Sequence, residues 1–246
     1  MSSARLWGVV LVGGRSSRMG RDKAALPHPA GGTFLEQAIT RLLALGCPVI
    51  LSGTETIPPA FQSESAFQSE PAFQSESPFQ SEPAVTALAD PGHPTKAGPV
   101  VGLVAALEHA AAAGATGILA TPVDMPCLTS DHLKSMQRAF SELAKTREDA
   151  SEAPAARELP LVGTFDGQHR EPLIAIYPRT VLASLQHLAA ASDRSLTRWL
   201  AAEPHHLHSL PTAASPNVNT PAEYEQLCSD PAPPAPPAPP APGRTP

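Results

Sequence analysis

Residues 7 to 26 read Trp7-Gly-Val-Val-Leu-Val-Gly-Gly-Arg-Ser-Ser-Arg-Met-Gly-Arg-Asp-Lys-Ala-Ala-Leu26, and the fold of the whole chain is read outward from them. Val9 to Val12 form a short apolar run rich in β-branched side chains, the composition of a strand buried on both faces. The run stops at Gly13-Gly14, where the backbone can turn tightly and come close to a ligand. A loop carrying Arg15, Arg18, Arg21 and Lys23 follows. Buried strand, glycine turn and cationic loop together describe a triphosphate site. Backbone N–H groups cradle the oxygens, and fixed cations neutralise the leaving phosphates. The spacing contains neither G-x-x-x-x-G-K-[ST] nor G-x-G-x-x-G, so a P-loop and a dinucleotide fingerprint are both excluded. A glycine pair after a strand is, taken alone, also an ordinary turn.

The whole string is far more specific than its glycines. Leu11-Val-Gly-Gly-Arg-Ser-Ser-Arg-Met-Gly-Arg-Asp-Lys23 resembles the signature loop of the molybdenum cofactor guanylyltransferases, which typically reads L-A-G-G-x-S-x-R-M-G-x-D-K. Val12 replaces the usual alanine. Relatives that use CTP usually carry Ala-Ala-Gly at this turn, and sugar-nucleotide enzymes carry G-x-G-T-R-L. The paired glycine therefore implies GTP.

Composition narrows the class. The chain has 246 residues, enough for one domain with additions. Its net charge of −6 gives no general attraction to nucleic acid or to an anionic membrane, so neither is expected as a partner. No run of 18 apolar residues is present, and no transmembrane helix is expected. The first residues lack the pattern of a secretory signal. Cys47, Cys127 and Cys228 are odd in number and far apart, which suits reduced thiols in a cytoplasmic protein better than a disulfide framework or a zinc site.

Proline marks the segments outside the core. Of the 30 prolines, many fall in the tail, where Pro231-Ala-Pro-Pro repeats; residues 229–246 are expected to form a disordered, Pro/Ala-rich extension. Phe61-Gln-Ser-Glu recurs at Phe67, Phe73 and Phe79 with a period of six. Copies so short cannot build a core, so residues 57–84 are expected to be a low-complexity insertion without a catalytic role. The remainder, residues 5–228, is expected to be one domain, with a flexible loop at 144–160.

Between these segments the elements alternate. Thr33-Phe-Leu-Glu36 is a capping box that opens a helix through Phe34, Leu35, Ala38, Ile39, Leu42 and Leu43, ended by Gly46. Val49 to Leu51 is the next strand, and Ser52 stands at its carboxyl end, where a ligand crevice is expected. Val85 to Ala89 resumes the strand pattern and ends in the carboxylate Asp90. Gly98-Pro99 turns into a further helix.

Gly117-Ile-Leu-Ala-Thr-Pro-Val-Asp-Met-Pro126 delivers Asp124 to the end of a buried strand. That carboxylate can cap the next helix, in competition with Thr129 or Ser130, or hold a cation. A metal-dependent nucleotidyl transferase needs it for the second task, because Mg²⁺ takes one or two carboxylates together with phosphate oxygens. An amphipathic helix is expected over 131–145. Leu161 to Phe165 and Pro172 to Tyr177 read as two strands joined through Asp166-Gly167. Near the end, Thr220-Pro-Ala-Glu223 is a capping box. It leaves unexplained Asn217 and Asn219, whose i, i+2 spacing puts them on one face of an extended segment.

The later motifs fall in the order the family shows them. V-D-M-P is similar to its D-x-P metal motif, Pro172 to Tyr177 to its P-L-x-A-x-Y strand, Ser192-Asp-Arg-Ser-Leu196 to its G-D-R-S-L segment, and Asn217 to Pro221 to its N-x-N-T-P motif. The resemblance implies an α/β fold, a Rossmann-like nucleotidyltransferase sandwich with a mostly parallel sheet in a single domain. It implies transfer of GMP from Mg²⁺-GTP to the terminal phosphate of molybdenum-molybdopterin, with release of pyrophosphate, and molybdoenzymes or cofactor-delivery proteins as further partners. Arg18, Lys23 and Asp124 are the implied catalytic residues, with Asp124 on Mg²⁺. Leu11, Val12, Gly13, Gly14, Lys23, Ser52, Asp90, Gly98 and Asp124 are the implied nucleotide contacts. Ser52 stands where the family usually places Asn. Arg194, Asn217 and Asn219 are the implied groups for orienting the acceptor and its phosphate, although Arg194 also fits a surface arginine at a helix end. Two alternatives stay open: a CTP-using enzyme of the same fold, and a non-catalytic carrier of the molybdenum cofactor.

Overall fold

The computed structural model describes residues 5–12, 19–62, 84–89, 98–149, 159–165 and 169–229. A seven-stranded sheet runs through it in the order β3-β2-β1-β4-β6-β5-β7. The strands are β1 (Leu6–Leu11), β2 (Val49–Ser52), β3 (Val85–Leu88), β4 (Gly117–Pro122), β5 (Leu161–Phe165), β6 (His169–Pro178) and β7 (His206–Leu210). Pairing is parallel except at β6, which runs against both β4 and β5. The helices are α1 (Phe34–Leu43), α2 (Pro99–Ala112), α3 (Ser130–Asp149), α4 (Leu182–Ala190), α5 (Leu196–Ala202) and α6 (Pro221–Ser229). This is the expected α/β sandwich.

The sheet is covered on both faces, and β1 shows how. All six of its residues are buried. Leu6 and Val10 join one core with α1 and α3, whereas Trp7, Val9 and Leu11 join a second core with α2, α4 and α5. That is the two-residue period of a strand feeding two layers at once. Gly8 faces α1, and a Cβ there would lie 3.0 Å from Leu42 Cβ, so the helix packs directly on strand backbone.

The chain lays down β1, β2 and β3 in one direction and then crosses to place β4 on the other side of β1. The carboxyl ends of β1 and β4 therefore flank the switch point, where open α/β sheets leave a crevice. Their last paired residues are Leu11 and Pro122. The cationic loop leaves the first of these ends, and Asp124 follows the second by two residues.

Two boundaries differ from the sequence reading. Helix α3 runs on to Asp149, into the span expected as a loop from 144. Ala144 to Asp149 contains no glycine or proline, so nothing stops the helix there, and Thr146 Oγ1 donates back to Glu142 O at 3.0 Å. The insertion at 57–84 is also not wholly outside the fold. Pro59–Phe61 form a 3₁₀ turn, and Ile57, Phe61 and Ala84 pack against the α1/α3 core. The later repeats and the tail beyond Ser229 lie outside the described residues. Among the described residues, no helix is long and apolar enough to cross a membrane.

Candidate active site

The loop after β1 is shaped by its own side chains. Met19 and Leu26 are buried in a small third core with Phe34 and Val218. Gly20 between them and the polar turn has φ +70°, a left-handed conformation that suits glycine. Asp22 Oδ1 accepts from Ala24 N at 3.0 Å, and Leu26 N donates to Lys23 O at 3.1 Å. These two bonds close a turn with Lys23 inside it. Phe34 N to Leu26 O (2.9 Å) and Leu35 N to Ala24 O (3.1 Å) then fasten the loop to the start of α1. The Met-Gly-x-Asp-Lys portion of the motif is thus a device that aims one lysine.

Lys23 points at the carboxyl end of β4. Its Nζ donates to Asp124 Oδ2 at 2.8 Å and to Asn219 Oδ1 at 2.7 Å. The Lys23 and Asp124 side chains are 14% and 24% exposed, so the pair is shielded but reachable. Three separate motifs therefore converge on one ammonium group. Asp124 does not cap α3: that role falls to Thr129, whose Oγ1 accepts from His132 N at 3.3 Å.

The segment bearing Asn219 is fixed from two sides. Val218, buried in the third core, donates its N–H to Asp124 O at 2.9 Å. Glu223 Oε2 accepts from Asn219 N (2.6 Å) and Thr220 N (2.9 Å), while Glu223 N donates to Thr220 Oγ1 (3.3 Å). The expected capping box is present and extended by one residue, and the Asn219 N–H holds the Glu223 carboxyl below its usual range. Tyr224 on α6 closes the loop from outside: its hydroxyl donates to Pro27 O at 2.9 Å, and Arg21 lies 5.5 Å from its ring centroid. Asn217 stands exposed two residues before Asn219.

The remaining expected residues are placed as follows. Leu11 ends β1 and Val12 follows it, with Val12 N donating to Ser52 O at 2.8 Å. Ser52 is buried at the end of β2, and its Oγ would lie 2.5 Å from a Cβ on Gly102, so this glycine makes room for it on α2. Gly98 immediately precedes α2. Arg194 precedes Ser195, the cap of α5, and donates from Nε to Ala191 O at 3.3 Å, a local bond in its own turn. Gly13, Gly14, Arg18 and Asp90 lie outside the described residues.

Two residues that sequence reading passed over also meet this site. Arg41 of α1 is buried, and Nη1 donates to Met125 O and Leu128 O, just beyond Asp124. Its signal was available: position 41 falls on the buried face with Phe34, Ala38 and Leu42, where an arginine is out of place. Glu171 on β6 is half-buried, and its carboxyl is pushed up by desolvation, with Asp124 adding to the rise from nearby. No pattern in the sequence marks it.

Residues 8–208 match the family described as "MobA-like NTP transferase domain". A "Probable molybdenum cofactor guanylyltransferase" from Rhodopirellula baltica is 37% identical over 218 residues, covering 89% of each chain. The fold is similar to the crystal structure of molybdopterin-guanine dinucleotide biosynthesis protein A from Archaeoglobus fulgidus, with a TM-score of 0.56 and 18% identity over 90% of this chain and 96% of that one. It is similar also to a Mycobacterium tuberculosis protein solved in complex with manganese, at a TM-score of 0.54 and 19% identity over 92% and 99% of the two chains.

Proposed function

Since the chain belongs to the MobA-like NTP transferase family and is a nucleotidyltransferase, we propose that it transfers GMP from Mg²⁺-GTP to the terminal phosphate of molybdenum-molybdopterin. The product is the guanine dinucleotide form of the molybdenum cofactor, and pyrophosphate leaves. The observation that carries this reading is the meeting of Lys23, Asp124 and Asn219 at the switch point. The relative's name supports the choice of guanylyl donor and molybdenum cofactor acceptor.

The donor set fits a divalent cation. A single ammonium nitrogen lies within 2.8 Å of both Asp124 Oδ2 and Asn219 Oδ1, so one point in space serves two oxygen donors. Both are hard ligands, and among the described residues no cluster of three or more His, Cys, Asp or Glu could hold a metal. Few protein ligands, with phosphate oxygens completing the shell, is the usual arrangement for Mg²⁺. Asp124 and Asn219 would hold the ion, and its charge would neutralise the triphosphate.

The chain's own groups do the rest. Leu11 to Gly14 supply backbone to the phosphates, while Ser52, Asp90 and Gly98 flank the nucleotide. Lys23, freed from Asp124, and Arg18 turn to the β- and γ-phosphates. Arg194 and Asn217 orient the acceptor. An oxygen of the acceptor phosphate forms the new bond to the α-phosphorus, and the bond from that phosphorus to the bridging oxygen breaks. The electron pair departs with pyrophosphate. The acceptor is already anionic near neutral pH, so no proton need be removed. Alignment and charge neutralisation are the work of the site.

Calorimetric titration with GTP, CTP and ATP, with and without Mg²⁺, tests the donor half. Selective Mg²⁺-dependent binding of GTP is expected. Preference for CTP would overturn the guanylyl assignment, and binding of GTP without pyrophosphate release in the presence of acceptor would replace enzyme by carrier.

A further inference from the structure

The turn that follows Asp124 is held carbonyl by carbonyl. Val218 N donates to Asp124 O at 2.9 Å. Arg41 Nη1 donates to Met125 O at 2.9 Å and to Leu128 O at 2.5 Å. His28 Nε2 lies 3.2 Å from Pro126 O, and Ala30 N donates to Nδ1 of the same ring, so Nε2 carries the proton given to Pro126. Three distant parts of the chain thus grip one short turn.

Arg41 is the costly member of this set. It is 8% exposed, burial lowers its guanidinium to about 10, and Nη2 has no hydrogen-bond partner among the described residues. Its other bond, from Nε to Gln37 O at 2.9 Å, stays within α1. Among the described residues no carboxylate pairs with it. A buried arginine compensated by carbonyl oxygens, with the Cys127 thiol as its favourable electrostatic neighbour, is a weak source of stability, and an apolar side chain of similar size commonly does as well or better. What such a side chain cannot supply is an amino group, here Nη1, whose two N–H bonds reach two carbonyls three residues apart.

We propose that Arg41 is a positioning residue for nucleotidyl transfer, setting the Met125–Leu128 turn and through it the place of the Asp124 carboxylate when a divalent cation is bound. The inference rests on the reading of Asp124 as the cation-bearing carboxylate. In the structure Lys23 tethers that carboxylate at 2.8 Å. Uptake of a cation removes the tether, and the backbone on either side must then hold the carboxylate still. Val218 holds one side. On the other, Leu128 N donates to Met125 O at 3.2 Å, His28 Nε2 to Pro126 O, and Arg41 Nη1 ties Met125 O and Leu128 O to α1.

The test uses the full chain as Arg41→Met and Arg41→Lys, beside wild type and Asp124→Ala. Mn²⁺ affinity is read by electron paramagnetic resonance in the presence of GTP, thermal melting is followed in parallel, and turnover is read as pyrophosphate release. Both Arg41 variants are expected to melt cooperatively. Arg41→Met should weaken Mn²⁺ binding and slow turnover by roughly 10–100-fold, the usual effect of removing an outer-shell support. The KM for nucleotide should stay within about threefold, since the triphosphate contacts are elsewhere, and Arg41→Lys should fall between. A folded Arg41→Met with wild-type Mn²⁺ affinity would overturn the inference. So would an Arg41→Met that fails to fold beside an Arg41→Lys with wild-type kinetics, because the residue would then serve stability alone. Wild type that binds Mn²⁺ no better than Asp124→Ala would instead remove the reading of Asp124 on which the inference stands.

Discussion

Lys23 and Asp124 stand 101 residues apart in the chain and meet at 2.8 Å, with Asn219 completing the group 2.7 Å from the same ammonium. The contact joins the loop after β1 to the end of β4 across the switch point. It also explains why an acidic and a basic group can share a shielded crevice before any substrate arrives: each offsets the burial of the other. In the proposed function the two partners would exchange like for like, Asp124 taking a cationic metal and Lys23 an anionic phosphate.

Asp124→Ala should abolish turnover and leave a cooperative melt. The carboxylate caps no helix, because Thr129 does that for α3. A collapse of the melting transition would show that the Lys23 pair holds the fold together, and the catalytic assignment would lose its main support.

Lys23→Met is expected to lower kcat by about 10²–10³, the usual loss when one preorganised donor to a transition-state anion is removed. Lys23→Met combined with Asp124→Ala should be no worse than Asp124→Ala alone, since the two act as one unit. Single-turnover assays on all three variants would check this. Simple addition of the two losses would mean that the side chains work independently.

Removal of residues 67–82, whose short repeated copies cannot build a core, should change the unfolding free energy by less than about 0.5 kcal/mol. Phe61→Ala should cost more, about 1–3 kcal/mol, reduced from a full core truncation because Phe61 is only partly buried against the α1/α3 core. Urea titration of the two variants separates the first phenylalanine of the repeat from the rest. Equal effects would contradict the packing at Phe61.

Acid should destabilise the protein through its histidines. Burial holds His28, His132 and His208 below their ordinary value of about 6.5. In that range the unfolded chain takes protons that the native rings refuse, so the stability they contribute is present above about 6.5 and is lost as pH falls below it. Glu171 acts oppositely: its raised carboxyl stabilises most at low pH, and that contribution fades as pH rises. The melting temperature should therefore drop between pH 7 and 5.5, and His28→Gln should flatten part of that drop. An unchanged slope in His28→Gln would show that the ring titrates freely in the folded state.

Much of this architecture is visible in residues that act locally. The β1 run predicts a strand buried on both faces because every one of its side chains is apolar or glycine, and all six residues of β1 are buried. The capping boxes at Thr33 and Thr220 place the starts of α1 and α6 because the pairing of cap and third residue is set by chain geometry. Charge and alanine content alone do not end α3: stopping a helix needs a breaker, and Ala144 to Asp149 holds none. Phe61 reads as repeat because Phe-Gln-Ser-Glu recurs every six residues, whereas its neighbour in space is the core.

The sequence by itself determined which residues are candidates for the chemistry: the loop with Lys23, the carboxylate after a buried strand, and the paired asparagines are recognisable from residue type and short spacing. Only the tertiary structure decided that Lys23 chooses Asp124 and Asn219, that Thr129 releases Asp124 from capping, and that Arg41 grips the turn beyond it. Backbone rules act over a few residues and can be read along the chain. Which donor meets which acceptor across 84 to 196 residues depends on strand order and on how helices settle onto the sheet, and no local spacing encodes that.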